Sequence, residues 1–299
     1  MNRIFLAHLA LFGANLIYGL NYTLAKEVMP EYILPFGFIF CRVTGALLMF
    51  WVLHALFYRE KIERRDVPRL MLCGLFGVAI NQLLFFKGLD LTVPINASII
   101  MTTNPILVLI LSTLIAKERL SWSKAIGVGV GISGAVVLIG FNNDFEIGRG
   151  TLRGDILIFI NATSYGLYLV LVKKLMSKYK PITVIKWVFL FGYMIVFPVG
   201  LDEFLQIEWH QFPTIIIWET LYVIVGTTFL AYLFNIYALK VISPTVASSY
   251  IYLQPVLASI FAIWMGKDTI TFLKVISSML IFTGVYLVSR QGKQIQTSR

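Results

Sequence analysis

The chain has 299 residues, of which 58% are hydrophobic, 14% aromatic and 13% charged, with a formal net charge of +10 from 25 Lys+Arg against 15 Asp+Glu. That charged share is about half of what a soluble domain carries, and with a mean hydropathy of +0.82 there is more apolar surface than a water-soluble fold of this size can bury. Soluble, disordered, nucleic-acid-binding and disulfide-scaffold classes are excluded, and a polytopic membrane protein remains.

A hydrocarbon layer about 30 Å thick is crossed by about 20 residues of helix. In chain order, apolar blocks of that length fall near 4–25, 32–57, 70–89, 94–116, 122–141, 154–173, 183–202, 214–238, 244–266 and 270–289. The first block runs straight into Lys26-Glu27-Val28 with no small-residue cleavage site, so it reads as a span and not as a signal peptide. Lipid cannot satisfy an exposed backbone, and the blocks lack the polar alternation of barrel strands. The expected class is therefore an all-α membrane protein of ten transmembrane helices. The two cysteines, Cys41 and Cys73, fall inside apolar blocks and read as small buried hydrophobes.

Allotted to the intervening loops, basic residues divide 18 to 6, with Arg42 left inside the second block. The rich side takes Arg3, the cluster from Arg59 to Arg69, Lys117 to Lys124, Lys173 to Lys186, Lys240 and the C-terminal residues from Arg290 on. Short loops rich in Lys and Arg stay in the cytoplasm, which places both termini there. The excess charge is suited to anionic headgroups, so membrane lipids are expected partners and nucleic acid is not.

Shifting the chain by 150 residues aligns 81–138 with 231–288 without a gap. Pro94/Pro244, Ala97-Ser98/Ala247-Ser248, Pro105/Pro255, Lys117/Lys267, Lys124/Lys274 and Gly134/Gly284 coincide, and Asn104/Gln254 and Glu118/Asp268 are close substitutions. Apolar composition alone does not bring prolines, lysines and an acidic site into one register. A weaker echo links Tyr18-Gly19-Leu20 with Tyr165-Gly166-Leu167. The expected organisation is one five-helix repeat over 1–141, a second over 154–289 and a basic cytoplasmic tail over 290–299. Five is odd, so the halves enter the membrane from opposite sides, as in many secondary transporters.

These stretches resemble a known family. Leu84-Phe85-Phe86 through Ala97-Ser98, Asn104-Pro105, Lys117-Glu118-Arg119-Leu120 and Gly134, with the second copy, resemble the EamA-type repeat of the drug/metabolite transporter superfamily. Tyr18-Gly19-Leu20-Asn21-Tyr22, Arg42 and Gly154-Asp155 are similar to its first-, second- and sixth-helix patterns. Ala116-Lys117-Glu118, where Gly-Glu is usual, and Tyr18, where Trp is common, depart from it. The resemblance covers nearly the whole chain and implies a ten-helix transporter in a bacterial inner (plasma) membrane. Its substrates would be amino acids, other metabolites or drugs.

Arg42 lies about ten residues into its block, roughly 15 Å deep at 1.5 Å per residue. A charge there normally faces the bundle interior or a wet cavity. It reads either as a bidentate partner for an anionic group such as a carboxylate or as a structural bond to neighbouring carbonyls. Pro105 and Pro255 interrupt the fourth and ninth blocks at matching places, freeing the carbonyls of Met101 and Ile251. Paired broken helices point to a midplane site, so Asn104 and Gln254 are expected to line it. Asn21, Asn81, Tyr18, Tyr165, Tyr232 and Ser248 complete the expected substrate-binding set. Asn15, Gln82, Asn161 and Asn235 are further polar residues at this depth. The glycine run Gly127, Gly129, Gly131, Gly134 reads as a packing rib or as the face of a homodimer.

No GxxxxGK[ST] phosphate loop, HExxH pair or paired intramembrane aspartates occur, and no cofactor or metal site is expected. The expected function is transport of a small metabolite, an amino acid or a related amphipathic compound, by alternating access in the export direction. The alternatives are a membrane-embedded enzyme acting on a lipid or isoprenoid and a channel. The enzyme needs acidic, Cys or His residues clustered at one depth, and the channel would use the same cavity without saturating.

Overall fold

A computed structural model describes residues 3–58, 60–92, 97, 100–118, 121–141, 152–264 and 271–290, and they contain only helix and connecting turns. Pro94, Ser98, Arg119, Lys267, Asp268 and the tail beyond Arg290 lie outside the described residues.

The helices are α1 (Arg3–Val28), α2 (Pro35–Phe57), α3 (Val67–Gly74), α4 (Ile80–Leu91), α5 (Asn104–Ile115), α6 (Trp122–Phe141), α7 (Leu152–Met176), α8 (Pro181–Leu205), α9 (Thr214–Tyr222), α10 (Ala231–Val241), α11 (Pro244–Ser249), α12 (Leu253–Trp264) and α13 (Phe272–Arg290). The π-helical turn Leu75–Ala79 joins α3 to α4, and a second, Val223–Leu230, joins α9 to α10. Each trio forms one continuous rod. Among the described residues, seven rods are long and apolar enough to cross a membrane: Arg3–Asn21, Pro35–Phe57, Arg64–Leu91, Leu152–Met176, Pro181–Leu205, Thr214–Val241 and Phe272–Ser289. Asn104–Ile115 and Trp122–Val137 are shorter apolar helices. The outer surface carries large apolar side chains at helical spacing, such as Phe5, Leu9, Phe12 and Leu16 on α1 and Leu48, Val52 and Leu56 on α2. Such a continuous apolar exterior is suited to acyl chains and not to water. The protein is an all-helical integral membrane protein.

Close pairs hold the bundle. Helix α2 lies against α8, where a Cβ on Gly200 would stand 2.6 Å from the Phe36 carbonyl oxygen. The amides of Phe36 and Gly37 donate to Glu203 Oε2 at 2.7 and 2.9 Å. These are first-turn donors with no partner inside α2, and a carboxylate there also opposes the positive end of the helix. Glu203→Gln is expected to lower stability by about 1 kcal/mol, read as a fall in thermal unfolding temperature of the detergent-solubilised protein.

Helix α6 packs along α13. A Cβ on Gly127 would stand 2.9 Å from the Gly284 carbonyl oxygen, and one on Gly134 would stand 2.8 Å from that of Ser277. Gly131 is covered by the Tyr252 ring, 2.5 Å from a Cβ placed there. The face carrying Gly127, Gly131 and Gly134 is thus occupied from within the chain. That corrects the dimer-face reading of these three glycines, since no second copy can reach them.

The expected interruptions ahead of the two prolines are present. Thr102 and Thr103 form a turn before α5 starts at Asn104, and Tyr250–Tyr252 form a 3-10 turn before α12. Proline has no amide hydrogen to give the preceding turn, so the ladder breaks there. One expectation needs correction: α2 starts at Pro35, not near residue 32, because the preceding Leu34 is extended. Arg42 therefore sits seven residues into its helix, roughly 10 Å from its start.

Candidate functional site

A cavity of about 120 Å³ lies at the centre of the bundle, lined by Asn15, Tyr18, Asn21, Arg42, Asn81, Gln82, Phe85, Phe86, Met101, Asn161, Tyr165, Thr227, Tyr232, Asn235, Ala247, Ile251 and Gln254. One water needs about 10–15 Å³ measured this way, so several waters or a small solute fit. A larger cleft of about 910 Å³ opens among Leu9, Phe12, Leu16 and Phe57 on the apolar exterior, where acyl chains and not polar solutes belong.

Among the described residues, Arg42 is the one charged residue of the central lining. Its Nε donates to Thr228 Oγ1 at 3.0 Å, and its guanidinium lies over the Phe86 ring at 4.9 Å and near the Phe38 ring at 5.7 Å. Thr228 Oγ1 in turn donates to the Val223 carbonyl, inside the π turn. No described group accepts from the terminal Nη atoms of Arg42, and no carboxylate among the described residues pairs with it. A guanidinium 5% exposed is thus anchored at its root, held between aromatic rings and presented to the cavity. Removing a charged donor's acceptor costs about 1.5–3 kcal/mol. Thr228→Val is expected to weaken substrate uptake roughly tenfold while the protein folds, measured as KM in reconstituted vesicles.

The remaining lining is a set of hydrogen-bonded amides, hydroxyls and phenols. Gln254 Nε2 donates to Asn15 Oδ1 at 2.9 Å, and Thr227 Oγ1 to Asn21 Oδ1 at 3.1 Å. Asn235 Nδ2 donates to the Tyr18 hydroxyl at 3.3 Å and to the Ala231 carbonyl at 2.9 Å. Tyr232 donates to the Gly77 carbonyl at 3.2 Å, with Gln82 Nε2 3.5 Å from its hydroxyl. Asn161 Nδ2 donates to the Asn81 carbonyl at 2.5 Å, and Ser164 Oγ to that of Phe76 at 2.7 Å. Phe76 and Gly77 belong to the first π turn, whose widened ladder offers carbonyls to side chains.

Of the residues expected at the site, Arg42, Gln254, Asn21, Asn81, Tyr18, Tyr165 and Tyr232 come together around the cavity. Asn104 and Ser248 do not. Asn104 is fully buried with Nδ2 donating to the Ala162 carbonyl at 2.7 Å, so it ties α5 to α7. Ser248 Oγ donates at 3.0 Å to the Thr245 carbonyl of its own helix. The lining residues Thr227, Phe85, Phe86 and Ala247 were not expected there, and Asn15, Gln82, Asn161 and Asn235 were expected at this depth without being assigned to the site. Among the described residues no group of His, Cys, Asp and Glu is placed to hold a metal ion.

A helical membrane bundle around a small polar chamber is the architecture of a solute transporter. The profile of the EamA-like transporter family matches residues 5–140 and again 152–290. The chain belongs to this family, and with it to the drug/metabolite transporter superfamily. It is 25% identical over 92% of its length to 95% of an uncharacterized transporter of Archaeoglobus fulgidus. It is also 25% identical over 76% of its length to 74% of a probable terminal-alkyne amino-acid exporter of Streptantibioticus cattleyicolor. A solved crystal structure, 18% identical, superposes with a TM-score of 0.77 over 97% of this chain and 98% of that one. The last likeness bears on the fold alone.

Proposed function

We propose that the protein is a secondary transporter that carries a small amphipathic metabolite bearing an anionic group, an amino acid or a related compound, outward across a bacterial inner membrane by alternating access. The observation that carries this reading is the central cavity, lined from both halves of the chain and holding one buried cation whose terminal nitrogens have no partner among the described residues. The substrate's anionic group supplies the missing partner through a charge-assisted pair. Asn21, Asn81, Tyr18, Tyr165, Tyr232 and Gln254 orient the rest of the molecule, while Asn104 and Ser248 serve the walls.

The reading includes ten helices in two inverted five-helix repeats, 1–141 and 154–289, with both termini and the basic tail 290–299 in the cytoplasm. Several observations support the duplication. The π turn Leu75–Ala79, moved by 150, falls within the π turn Val223–Leu230. The contact of Gly127 with Gly284 becomes that of Ser277 with Gly134 under the same shift. A relation that exchanges the two members of a contact is what a two-fold axis between repeats produces. Gln82 and Tyr232, whose side chains meet in the cavity wall, also differ by 150.

The test is counterflow in proteoliposomes preloaded with unlabelled solute, run against a panel of labelled amino acids and drugs, with Arg42→Ala alongside. Transient, saturable accumulation that the variant loses is the expected result. Flux without saturation would mark a channel, and no accumulation of any solute under any gradient would refute transport.

A further inference from the structure

From the charge and hydrogen-bond inventory of the central cavity, we propose that the substrate is a monoanion without a free ammonium group: an amphipathic monocarboxylate such as a 2-oxo acid or an N-acylated amino acid. This rests on the transport reading above, keeps its anionic group and moves the substrate from a free amino acid to a related compound that lacks the ammonium.

Among the described residues, the lining holds one cation and no carboxylate. A buried charge with no counter-charge is unfavourable, and a ligand of net charge −1 brings the chamber to neutrality. A zwitterion leaves it at +1 and places a second cation near Arg42.

An ammonium carries three donors, and several of the amide oxygens in the lining already accept from a neighbour or lie buried in the wall. Asn15 Oδ1 accepts from Gln254, and Asn21 Oδ1 accepts from Thr227. Asn81 Oδ1 faces the Tyr232 hydroxyl at 3.5 Å. The oxygens Oε1 of Gln82 and Oδ1 of Asn161 are sealed in the wall. The charged donor of the lining, Arg42, is suited to a carboxylate, and Tyr18 and Tyr165 line the same chamber. The apolar body of the ligand has Phe85, Phe86, Met101 and Ile251 to rest on.

Four probes share one aromatic body and differ only in the head group: phenylpyruvate, N-acetylphenylalanine, phenylalanine and phenethylamine. Thermal unfolding of the purified full-length protein, titrated with each at neutral pH, reads binding, and counterflow in proteoliposomes reads transport. Phenylpyruvate or N-acetylphenylalanine is expected to stabilise the protein at concentrations at least about tenfold below those of phenylalanine, with no response to phenethylamine. Arg42→Ala is expected to abolish the selectivity, and Arg42→Lys, which keeps the charge and the fold, to retain part of it. Phenylalanine binding as tightly as its N-acetyl form, stabilisation by phenethylamine, or no stabilisation by either acid would overturn the proposal. Selective binding of the acids without counterflow would uphold the substrate class and overturn the transport reading. Counterflow of phenylalanine alone would do the reverse.

Discussion

Replacing Arg42 with alanine is expected to lower kcat/KM for transport about a hundredfold or more while leaving the helical bundle folded. Truncating one partner of a buried, hydrogen-bonded charge pair costs about 2–5 kcal/mol, and each 1.4 kcal/mol is a factor of about ten. Without substrate, the guanidinium has, among the described residues, only Thr228 Oγ1 and two aromatic faces as partners, so its loss removes little that holds α2 in place. Arg42→Ala should therefore unfold no earlier than the parent on heating in detergent, and a drop in stability comparable to the loss of transport would mark Arg42 as structural. Arg42→Lys keeps the charge but not the two parallel donors, and should fall between the parent and the alanine variant. The decisive measurement is labelled solute flux in proteoliposomes beside an unfolding curve of the same preparation.

Gly284→Leu should be the most damaging single change at a helix contact. A Cβ at Gly284 would stand 2.6 Å from the amide nitrogen of Gly131 and 2.7 Å from the Gly127 carbonyl oxygen, both backbone atoms that cannot turn aside. Overpacking of this kind costs about 1–3 kcal/mol where side chains can yield, and more where they cannot. The variant is expected to force α6 and α13 apart and to be recovered poorly as folded protein. Gly129 supplies the control, because nothing lies within 4 Å of a Cβ placed there. Gly129→Leu should express and unfold as the parent does, since leucine is favoured over glycine in a helix. If the two variants behave alike in size-exclusion chromatography and heating, the close approach of α6 and α13 carries no weight.

The sequence discloses the membrane class, the family and most of the chamber because those properties reside in composition and spacing. Arg42 is legible because a charge amid apolar residues is costly, and Tyr18, Tyr165 and Gln254 because they sit in repeat-related patterns. The difference between Asn104 and Gln254 is not legible. They occupy equivalent places before a proline, yet one bonds to the Ala162 carbonyl and the other reaches Asn15 in the cavity wall. The rotation of a broken helix about its axis separates the two outcomes, and packing against α7 or α1 decides it. Thr227 is not legible for another reason. Regular 3.6-residue spacing does not anticipate a π turn, and Thr227 lies within one.

A π turn holds one residue more than the α-helical ladder would take up. In an ideal helix each residue advances the face by about 100°, so the surplus residue within Leu75–Ala79 sets the azimuth of the whole of α4. Excising it would let the rod relax to uniform winding with its ends, and the face of α4, in place. Winding the unchanged sequence as a uniform α-helix would instead swing Asn81 and Gln82 away from the chamber by more than a quarter of a circle. The polarity of that wall depends on a counting irregularity upstream as much as on the identity of the residues that form it.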